Sequence, residues 1–301
     1  MRPIVTFIVH GQISRKSKLL RLINETFAGD FVVKVKQTTE FHHADLLTTK
    51  ALEEGTDFLI AVGGDGTVHE VVNAYLSFGL LKEVPIGIIP HGRGNDFVKS
   101  LGIHQNLKSL LNAVQKNQPK SIDVGWMMFS DSDRNIINRY FVNISDIGLG
   151  GLAVQMIKNR PKFLSPNISY AWAIFKSLIF YKSQNVKIIT HDWSYEGNVM
   201  SLCMANGKYF GSGLCIAPEA ELDDGIAEIV IIGNVGIWDY LTKISQLKSG
   251  KKIIHPKVFY GKAKKCSIES QVPIPIDMDG EFVGYTPLKM EMLQKKVKIL
   301  I

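Results

Sequence analysis

Short apolar runs alternate with amphipathic stretches along the first part of the chain. Apolar residues spaced three and four apart predict helices, and continuous apolar runs bounded by turn residues predict buried strands. The predicted strands are residues 4–9, 31–35, 58–62 and 86–89, and the predicted helices are residues 16–27, 44–52 and 68–76. This alternation is typical of an open, mostly parallel sheet with right-handed crossovers, which binds ligands at the carboxyl ends of its strands.

The pattern changes near residue 125, where strand-like runs begin to follow one another directly. They cover residues 140–144, 186–190, 202–205, 214–217, 226–232, 258–260, 274–278 and 297–300, with helical stretches at 152–158, 169–181 and 238–247. Such a pattern predicts an antiparallel β-sandwich. We therefore expect an α/β domain over residues 1–125 and a β-sandwich domain over 126–301, whose last residues are able to return to the first domain.

Composition narrows the class of protein. Hydrophobic residues make up 46% and charged residues 21%, the balance of a globular chain. The three cysteines, Cys203, Cys215 and Cys266, lie far apart, which argues against a zinc knuckle or a disulfide scaffold and favours a reducing compartment. The net charge of +7 favours binding to a polyanion: nucleic acid, nucleotide or an anionic membrane surface.

The first candidate site follows the predicted strand 58–62 and reads Gly63-Gly64-Asp65-Gly66-Thr67. Glycines let the backbone approach a bulky anion, and the amino terminus of the next helix offers N–H groups to phosphate. Thr67 is predicted to cap this helix, with Glu70 as its capping-box partner. A carboxylate at Asp65, beside a phosphate, makes sense when Mg²⁺ lies between the two charges.

A second turn of the same kind follows the next predicted strand. It reads Pro90-His91-Gly92-Arg93-Gly94-Asn95-Asp96-Phe97. Two such turns after successive parallel strands predict two phosphate-binding loops side by side, with Asp96 and Asp123 as further carboxylates. No Walker A motif is present, and the near-Rossmann run at residues 148–153 lacks the acidic residue that holds a ribose.

These two turns, together with motifs later in the chain, resemble the diacylglycerol kinase catalytic-domain family of soluble bacterial lipid kinases, which is related to the sphingosine kinases. The further motifs are Asn206-Gly207 with Phe210-Gly211-Ser212-Gly213, the segment 216–225 ending in Asp223-Asp224-Gly225, and Asp279-Gly280-Glu281. Gly-Gly-Asp-Gly-Thr alone is shared with NAD kinases and 6-phosphofructokinases, but the combination is specific to the lipid kinases.

The resemblance implies an NAD kinase- or phosphofructokinase-like nucleotide-binding domain, a β-sandwich domain and an active site in the cleft between them. It implies ATP and Mg²⁺ as cofactors. The implied ATP-binding residues are Gly11, Ser14, Thr38, Thr39, Gly63, Gly64, Asp65, Gly66, Thr67, Glu70, Gly92, Arg93, Gly94, Asn95 and Asp96. The implied water-mediated Mg²⁺ network is Asp65, Asp96 and Asp123, and a separate structural Mg²⁺ would bind Asp224 with the backbone carbonyls of Glu221 and Ile226. The implied general base is Asp279, with Glu281 beside it, and the choice between them stays open.

Three departures from the family pattern leave alternatives open. The first loop reads His10-Gly11-Gln12-Ile13-Ser14 instead of Asn-Pro-x-x-Gly, Arg93 stands where threonine is usual, and His69 replaces a usual asparagine. The leading interpretation is an ATP- and Mg²⁺-dependent kinase for a lipid hydroxyl, such as that of diacylglycerol, serving phospholipid synthesis. The alternatives are an NAD kinase-like small-molecule kinase, and a regulatory protein that binds nucleotide without catalysis.

The membrane side of this interpretation depends on residues 163–181. Six aromatic residues with lysine and arginine at the edges are typical of an interfacial helix, although a helix covering the sandwich core is the commoner explanation. Polar residues interrupt the segment, so we expect no spanning helix. The chain start has no cleavage-site pattern and predicts a first strand. We expect a cytoplasmic protein, peripheral at the inner membrane face, that binds lipid substrate and no nucleic acid; a homodimer is left open.

Overall fold

The computed structural model describes residues 2–40, 42–79, 83–104, 106–158, 176–177 and 180–301. The chain divides into two compact units. Unit 1 is Met1–Asp123 with Gln294–Ile301, and unit 2 is Val124–Leu293. The sequence predicts this division near residue 125 and allows the last residues to join the first domain.

Unit 1 alternates strands and helices, as its hydrophobic pattern predicts. Its elements are β1 (Ile4–Val9), α1 (Lys16–Phe27), β2 (Val32–Gln37), α2 (His43–Glu53), β3 (Phe58–Gly63), α3 (Asp65–Phe78), β4 (Ile86–Pro90), α4 (Asp96–Leu101) and α5 (Leu107–Lys116). Strand β5 (Lys120–Ser130) then crosses the division between the units. Helix α3 begins three residues before the predicted position 68, so the last three residues of the glycine motif, 65–67, lie in its first turn.

The described strands of unit 1 pair in parallel, in the order β4, β3, β1, β2. Ile299, near the chain end, pairs in parallel with Ile86 at the outer side of β4. Aromatic side chains fill the core on one face, where the rings of Phe7 and Phe27 meet edge to face at 5.1 Å. Because the registers are aligned, with Val9 beside Val62 and Gly63 beside Pro90, the loops after β1, β3 and β4 emerge at one edge.

Unit 2 is built from antiparallel strands. Its elements are β6 (Ile136–Phe141), β7 (Ile144–Gly148), α6 (Leu149–Lys158), β8 (Gln184–Thr190), β9 (Ser194–Ala205), β10 (Tyr209–Phe210), β11 (Leu214–Cys215), β12 (Ala227–Gly233), α7 (Ile237–Lys248), β13 (Val258–Ala263), β14 (Lys265–Ser270), β15 (Pro275–Met278) and β16 (Glu281–Ile299), whose last six residues belong to unit 1. The predicted strand 214–217 is reduced to the two residues of β11, which pair only with β10 among the described strands.

The strand pairings of unit 2 close on themselves. Strand β9 pairs with β7 and β8, β7 pairs with β15, β15 with β16, β16 with β14, and β14 with β8. The long strands β9 and β16 therefore serve both sides of one apolar core, which includes Phe129, Phe141 and Ile276. Strand β9 also pairs with β12, which in turn pairs with β13.

The predicted strand 140–144 is wrong in one respect, because it is divided. Strand β6 ends at Phe141 and β7 begins at Ile144, leaving Val142 and Asn143 between them. The backbone N–H groups of both residues donate to the carboxylate of Asp279 and not to a neighbouring strand. A long-range side-chain contact thus interrupts a run that local β-propensity would continue.

Candidate active site

The two glycine turns of unit 1 touch one another. The N–H of His91 donates to the Gly63 carbonyl over 2.7 Å. A Cβ at residue 92 would lie 2.4 Å from the Gly64 Cα, closer than real Cβ atoms approach another atom. Glycine at position 92 is therefore required by the backbone contact. The prediction that the turns lie side by side is confirmed.

The predicted capping box at the start of α3 is wrong. Helix α3 has Gly64 as its N-cap and no side-chain cap. Thr67 lies in the first turn, where its Oγ1 occupies the space that a Cβ at Gly63 would need. The Glu70 carboxylate instead accepts the N–H of Ala44 over 2.9 Å, at the amino terminus of α2. The capping-box motif is a local sequence signal, whereas the hydrogen-bond partner of Glu70 lies 26 residues away in the chain.

Asp65 and Asp96 approach each other at the second turn. One Asp65 oxygen, Oδ1, accepts the Phe97 N–H over 3.1 Å, in the first turn of α4. The other oxygen of Asp65 and Oδ2 of Asp96 each lie 3.1 Å from the position that a Cβ at Gly94 would take. Asp96 is buried and its Oδ1 is 3.3 Å from the Lys99 ammonium. The structure thus brings these two predicted carboxylates together.

Asp123 has a different local environment. It is fully buried, and its Oδ1 accepts the Lys295 N–H over 2.7 Å. Across the described ranges, no group of three or more His, Cys, Asp or Glu side chains is arranged to hold a metal ion. The water-mediated role predicted for Asp123 in the Mg²⁺ network stays a prediction.

The loops after β1 and β2 contribute to the same edge of unit 1. The Gly11 N–H donates to Thr38 Oγ1 over 2.9 Å, and a Cβ at Gly11 would collide with the Thr38 carbonyl oxygen at 2.0 Å. The N–H of Thr39 donates to His43 Nδ1 over 3.1 Å. Ser14 is exposed in the turn before α1. Gly11, Ser14, Thr38 and Thr39 are among the predicted nucleotide contacts, and that role stays a prediction.

The side chain of Arg93 is exposed. Asn95, two residues later, stabilises the turn. The Asn95 amide accepts the Gly92 N–H and donates to the Gly92 carbonyl, both over 2.9 Å. Asn95 has a φ of 49°, a left-handed conformation that asparagine tolerates better than most residues. The turn therefore keeps its shape without the arginine.

In unit 2, Asp279 and Gly280 form the turn between β15 and β16. Their φ angles are 53° and 91°, and Met278 pairs with Glu281 across the turn. Positive φ at both central residues is the geometry of a tight hairpin turn, for which Asp-Gly is a preferred sequence. The next acidic residue in the chain is Glu281. It is the first residue of β16, and it is partly exposed.

The Asp279 carboxylate is held by three backbone donors. It accepts N–H groups from Val142, Asn143 and Ile144 over 2.9, 2.9 and 3.1 Å, and the residue is 7% exposed. Asn206, from the glycine-rich motif, donates to the Val142 carbonyl over 2.8 Å. Three segments distant in sequence therefore meet at Asp279. The resemblance identified two of them, and it did not identify residues 142–144.

A pair of facing carboxyl groups, one buried and one partly buried, lies behind this turn, and sequence reasoning missed it. Asp146 on β7 stands opposite Asp277 on β15. Asp146 accepts bonds from Ser201 Oγ over 2.6 Å and from the Gly150 N–H over 2.9 Å. Burial raises the pKa of Asp146 to about 6. Burial, followed by the nearby charge of Asp146, raises the pKa of Asp277 well above its usual range. The sequence signal that could have identified this pair is an aspartate, Asp146, inside a largely apolar strand.

The segment 216–225 ends in a tight turn at Asp224. The Asp224 carboxylate accepts the Ile226 N–H over 3.0 Å, and the intervening Gly225 has a φ of 79°. Glu221 is exposed. A single carboxylate beside a turn suits a hard cation that takes oxygen ligands. The structural Mg²⁺ site implied at Glu221, Asp224 and Ile226 stays a prediction.

The aromatic segment lies mostly outside the described residues. Of residues 163–181, only 176, 177, 180 and 181 are described, so its proposed contact with lipid is untested. Among the helices that the structure describes, none is long and apolar enough to cross a membrane.

Comparison with known proteins gives two family matches in chain order. A model described as the diacylglycerol kinase catalytic domain matches residues 5–127, and one described as the YegS C-terminal NAD kinase beta sandwich-like domain matches residues 147–301. The chain is 28% identical over 269 residues to a diacylglycerol kinase of Staphylococcus epidermidis RP62A, covering 87% of this chain and 79% of that protein. It is 29% identical over 277 residues to a diacylglycerol kinase of Staphylococcus aureus RF122, covering 87% and 80%.

Solved structures extend the likeness to the fold. A diacylglycerol kinase crystal structure from Bacillus anthracis str. Sterne has a TM-score of 0.71 at 23% identity, covering 99% of this chain and 96% of that one. Yeast NADH kinase complexed with NADH has a TM-score of 0.55 at 10% identity, covering 99% and 83%. These structures support a two-domain architecture with an NAD kinase-like, sheet-rich second domain. With both family models matched over most of its length, the chain belongs to the diacylglycerol kinase family.

Proposed function

We propose that this chain is an ATP- and Mg²⁺-dependent lipid kinase that transfers the γ-phosphate of ATP to the hydroxyl of a lipid such as diacylglycerol. The observation that carries the proposal is the contact between the two glycine turns at the carboxyl edge of unit 1. Glycine turns at that edge, leading into helices, bind phosphate in many α/β proteins.

The helix termini around these turns support α3 as the phosphate-binding helix. The amino terminus of α2 already has a carboxylate ligand in Glu70, and that of α4 has one in Asp65. Helix α3 has Gly64 as its N-cap and no side-chain cap. Its first N–H groups and its dipole therefore favour a negatively charged ligand. Carboxylates at the other two termini direct the anion to α3.

Mg²⁺ fits the carboxylates beside the second turn. This ion keeps several waters and uses one or two protein carboxylates together with substrate phosphates. Asp65 and Asp96 would hold it, since one oxygen of each faces the space over Gly94. When bound, the ion offsets the charge of the phosphates. This assignment needs no third protein ligand.

The turn at residues 279–281 is the proposed source of the base. A general base must present a lone pair to the substrate hydroxyl. Three N–H donors take three of the roughly four lone-pair sites of the Asp279 carboxylate. Glu281 is partly exposed, and its side chain makes no hydrogen bond to a described residue. Glu281 is the better placed proton acceptor in this geometry, with Asp279 holding the turn that presents it.

The test is transfer of labelled phosphate from ATP to a total lipid extract, with two glycine variants. Gly92→Ala should reduce transfer by about tenfold or more, because its Cβ would force the two turns apart. Gly29→Ala is the matched control, since a Cβ there meets nothing within 4 Å. With NAD added to the same assay, label recovered in water-soluble dinucleotide would support the NAD kinase alternative. ATP binding without transfer to any lipid would support the regulatory alternative.

A further inference from the structure

Positive charge is concentrated in one stretch of unit 2. Residues 240–268 contain eight lysines and no aspartate or glutamate, which is a formal charge of +8 against +7 for the whole chain, so the remainder carries −1. The lysines are Lys243, Lys248, Lys251, Lys252, Lys257, Lys262, Lys264 and Lys265. Only two of them have an ion pair within the described ranges, Lys252 with Glu219 and Glu228, and Lys265 with Glu291.

An isoleucine projects from the middle of this stretch. Residues 249–257 join α7 to β13, and we call them the basic loop. Ile254 in this loop is 84% exposed, more than any other large hydrophobic side chain that the structure describes. Its neighbour Ile253 is 6% exposed and packs in the core with Val235 and Leu247. One isoleucine therefore anchors the loop and the other faces water.

Hydrogen bonds hold the basic loop in this arrangement. The Ile253 N–H donates to the Tyr260 hydroxyl over 3.0 Å, and the Val258 N–H donates to the His255 carbonyl over 3.0 Å. The Lys257 ammonium donates to the Asn234 carbonyl, which carries no formal charge, over 2.6 Å. Packing and hydrogen bonding thus impose the exposure of Ile254, which a loose loop would be able to reduce by folding inward.

We propose that the basic loop docks on an anionic lipid bilayer, with Ile254 entering the interface and Lys248, Lys251 and Lys257 facing the headgroups. The three lysines are exposed: Lys248 immediately precedes the loop, and Lys251 and Lys257 lie within it. Anionic headgroups attract such lysines, and the acyl boundary buries an apolar side chain. A nucleic acid would satisfy the lysines but leave Ile254 in water. The inference extends the proposed function, because a lipid kinase meets its substrate at a membrane.

The experiment attaches an environment-sensitive dye to Ile254→Cys. The three native cysteines are buried, so a thiol dye will label the introduced residue selectively. Vesicles of phosphatidylcholine, and of phosphatidylcholine mixed equally with phosphatidylglycerol, are then added. We expect a blue shift of the emission with the anionic vesicles only, and its reversal by raised salt.

Ile136→Cys is the matched control. Ile136 is 67% exposed in the same unit, but Asp131 and Asp133 precede it. Dye at this position should remain in water with either vesicle. Equal shifts at residues 136 and 254, or no shift at residue 254, would overturn the proposal. So would an equal response at residue 254 to duplex DNA.

Binding measured by vesicle sedimentation supplies the second readout. Ile254→Asp should weaken binding to the anionic vesicles by about tenfold or more, the effect of burying one large aliphatic side chain. Lys251→Gln should weaken it about fivefold, and Lys187→Gln, at an exposed residue of β8, should have no effect. Unchanged binding of Ile254→Asp would contradict the docking mode.

Failure of the docking proposal and failure of the kinase proposal are distinguishable. Vesicle binding needs no ATP, and transfer to a short-chain diacylglycerol dispersed in water needs no bilayer. Ile254→Asp should keep its turnover on the dispersed substrate and lose it on vesicles. A blue shift at residue 254 without phosphate transfer to any lipid supports docking and removes the kinase proposal. Transfer on vesicles that is insensitive to Ile254→Asp removes docking alone.

Discussion

The two turns that carry the proposed chemistry treat backbone N–H groups in opposite ways. In unit 1, the glycine turn at Gly63–Gly64 leads into α3, whose first N–H groups receive no side-chain cap. In unit 2, the N–H groups of residues 142–144 are directed into the Asp279 carboxylate. The first arrangement favours a negatively charged ligand, and the second holds a negatively charged residue of the chain itself. An aspartate in a recognisable motif is therefore not identified as a catalytic base by the motif alone, because its carboxylate is able to serve as an acceptor for backbone N–H groups.

The largest expected effect separates Glu281 from Asp279. Glu281→Gln should lower turnover by about 10²–10⁴-fold while changing the unfolding free energy by less than about 0.5 kcal/mol. Asp279→Asn should lower turnover and also cost about 1–3 kcal/mol of stability, because its amide would oppose a backbone N–H. Lipid phosphorylation kinetics and urea unfolding measure the two quantities. An Asp279→Asn protein as stable as the parent would refute the positional role of Asp279.

The facing carboxyl groups of Asp146 and Asp277 predict a dependence of stability on pH. Asp146 has a folded-state pKa of about 6 against a reference value of 3.8, so the folded state binds the proton more tightly. Stability should therefore fall as pH rises from about 4 to about 6, by up to roughly 3 kcal/mol, and stay lowered above that range. Asp146→Asn should reduce this slope, and the part that remains is expected from Asp277, whose pKa is also raised by burial. Urea unfolding at several pH values measures it, as the difference between variant and parent.

Asp131 should make the opposite contribution to the pH dependence, because its pKa is lowered in the folded state and not raised. The N–H of Asn135 holds the pKa of this exposed carboxyl below its ordinary value. Its contribution should be present above the unfolded pKa and lost as pH falls through the folded pKa. A slope that survives Asp146→Asn unchanged would mean that other carboxyl groups produce it.

The smallest expected effect concerns the capping of α2. Glu70→Ala removes the acceptor for the Ala44 N–H and should cost about 1 kcal/mol in urea unfolding. Glu70→Gln keeps an acceptor and should cost less. Glu25→Ala, on an exposed face of α1, should have little effect. Equal stability of Glu70→Ala and the parent would remove Glu70 from this capping role and weaken the contrast between α2 and α3.

Much of the fold was predictable because it depends on local periodicity. The predicted bounds of β1 and α1 agree with the structure, and the glycine turns were identified by the backbone freedom that they require. The partners of the acidic side chains were not predictable in this way. Asp65 bonds to a residue 32 positions away, and Asp279 to one 137 positions away. Pairs so distant leave no periodic signal in a single sequence.

The sequence by itself determined the alternation of strands and helices in unit 1, the two glycine turns after β3 and β4, and the motifs that identify the family. Only the tertiary structure decided which donor each carboxylate accepts, that Glu70 serves α2 and not α3, and that Asp146 faces Asp277. The reason is physical. Steric limits on the backbone act over a few neighbouring residues, whereas desolvation and hydrogen bonding of a side chain depend on whatever the fold brings beside it.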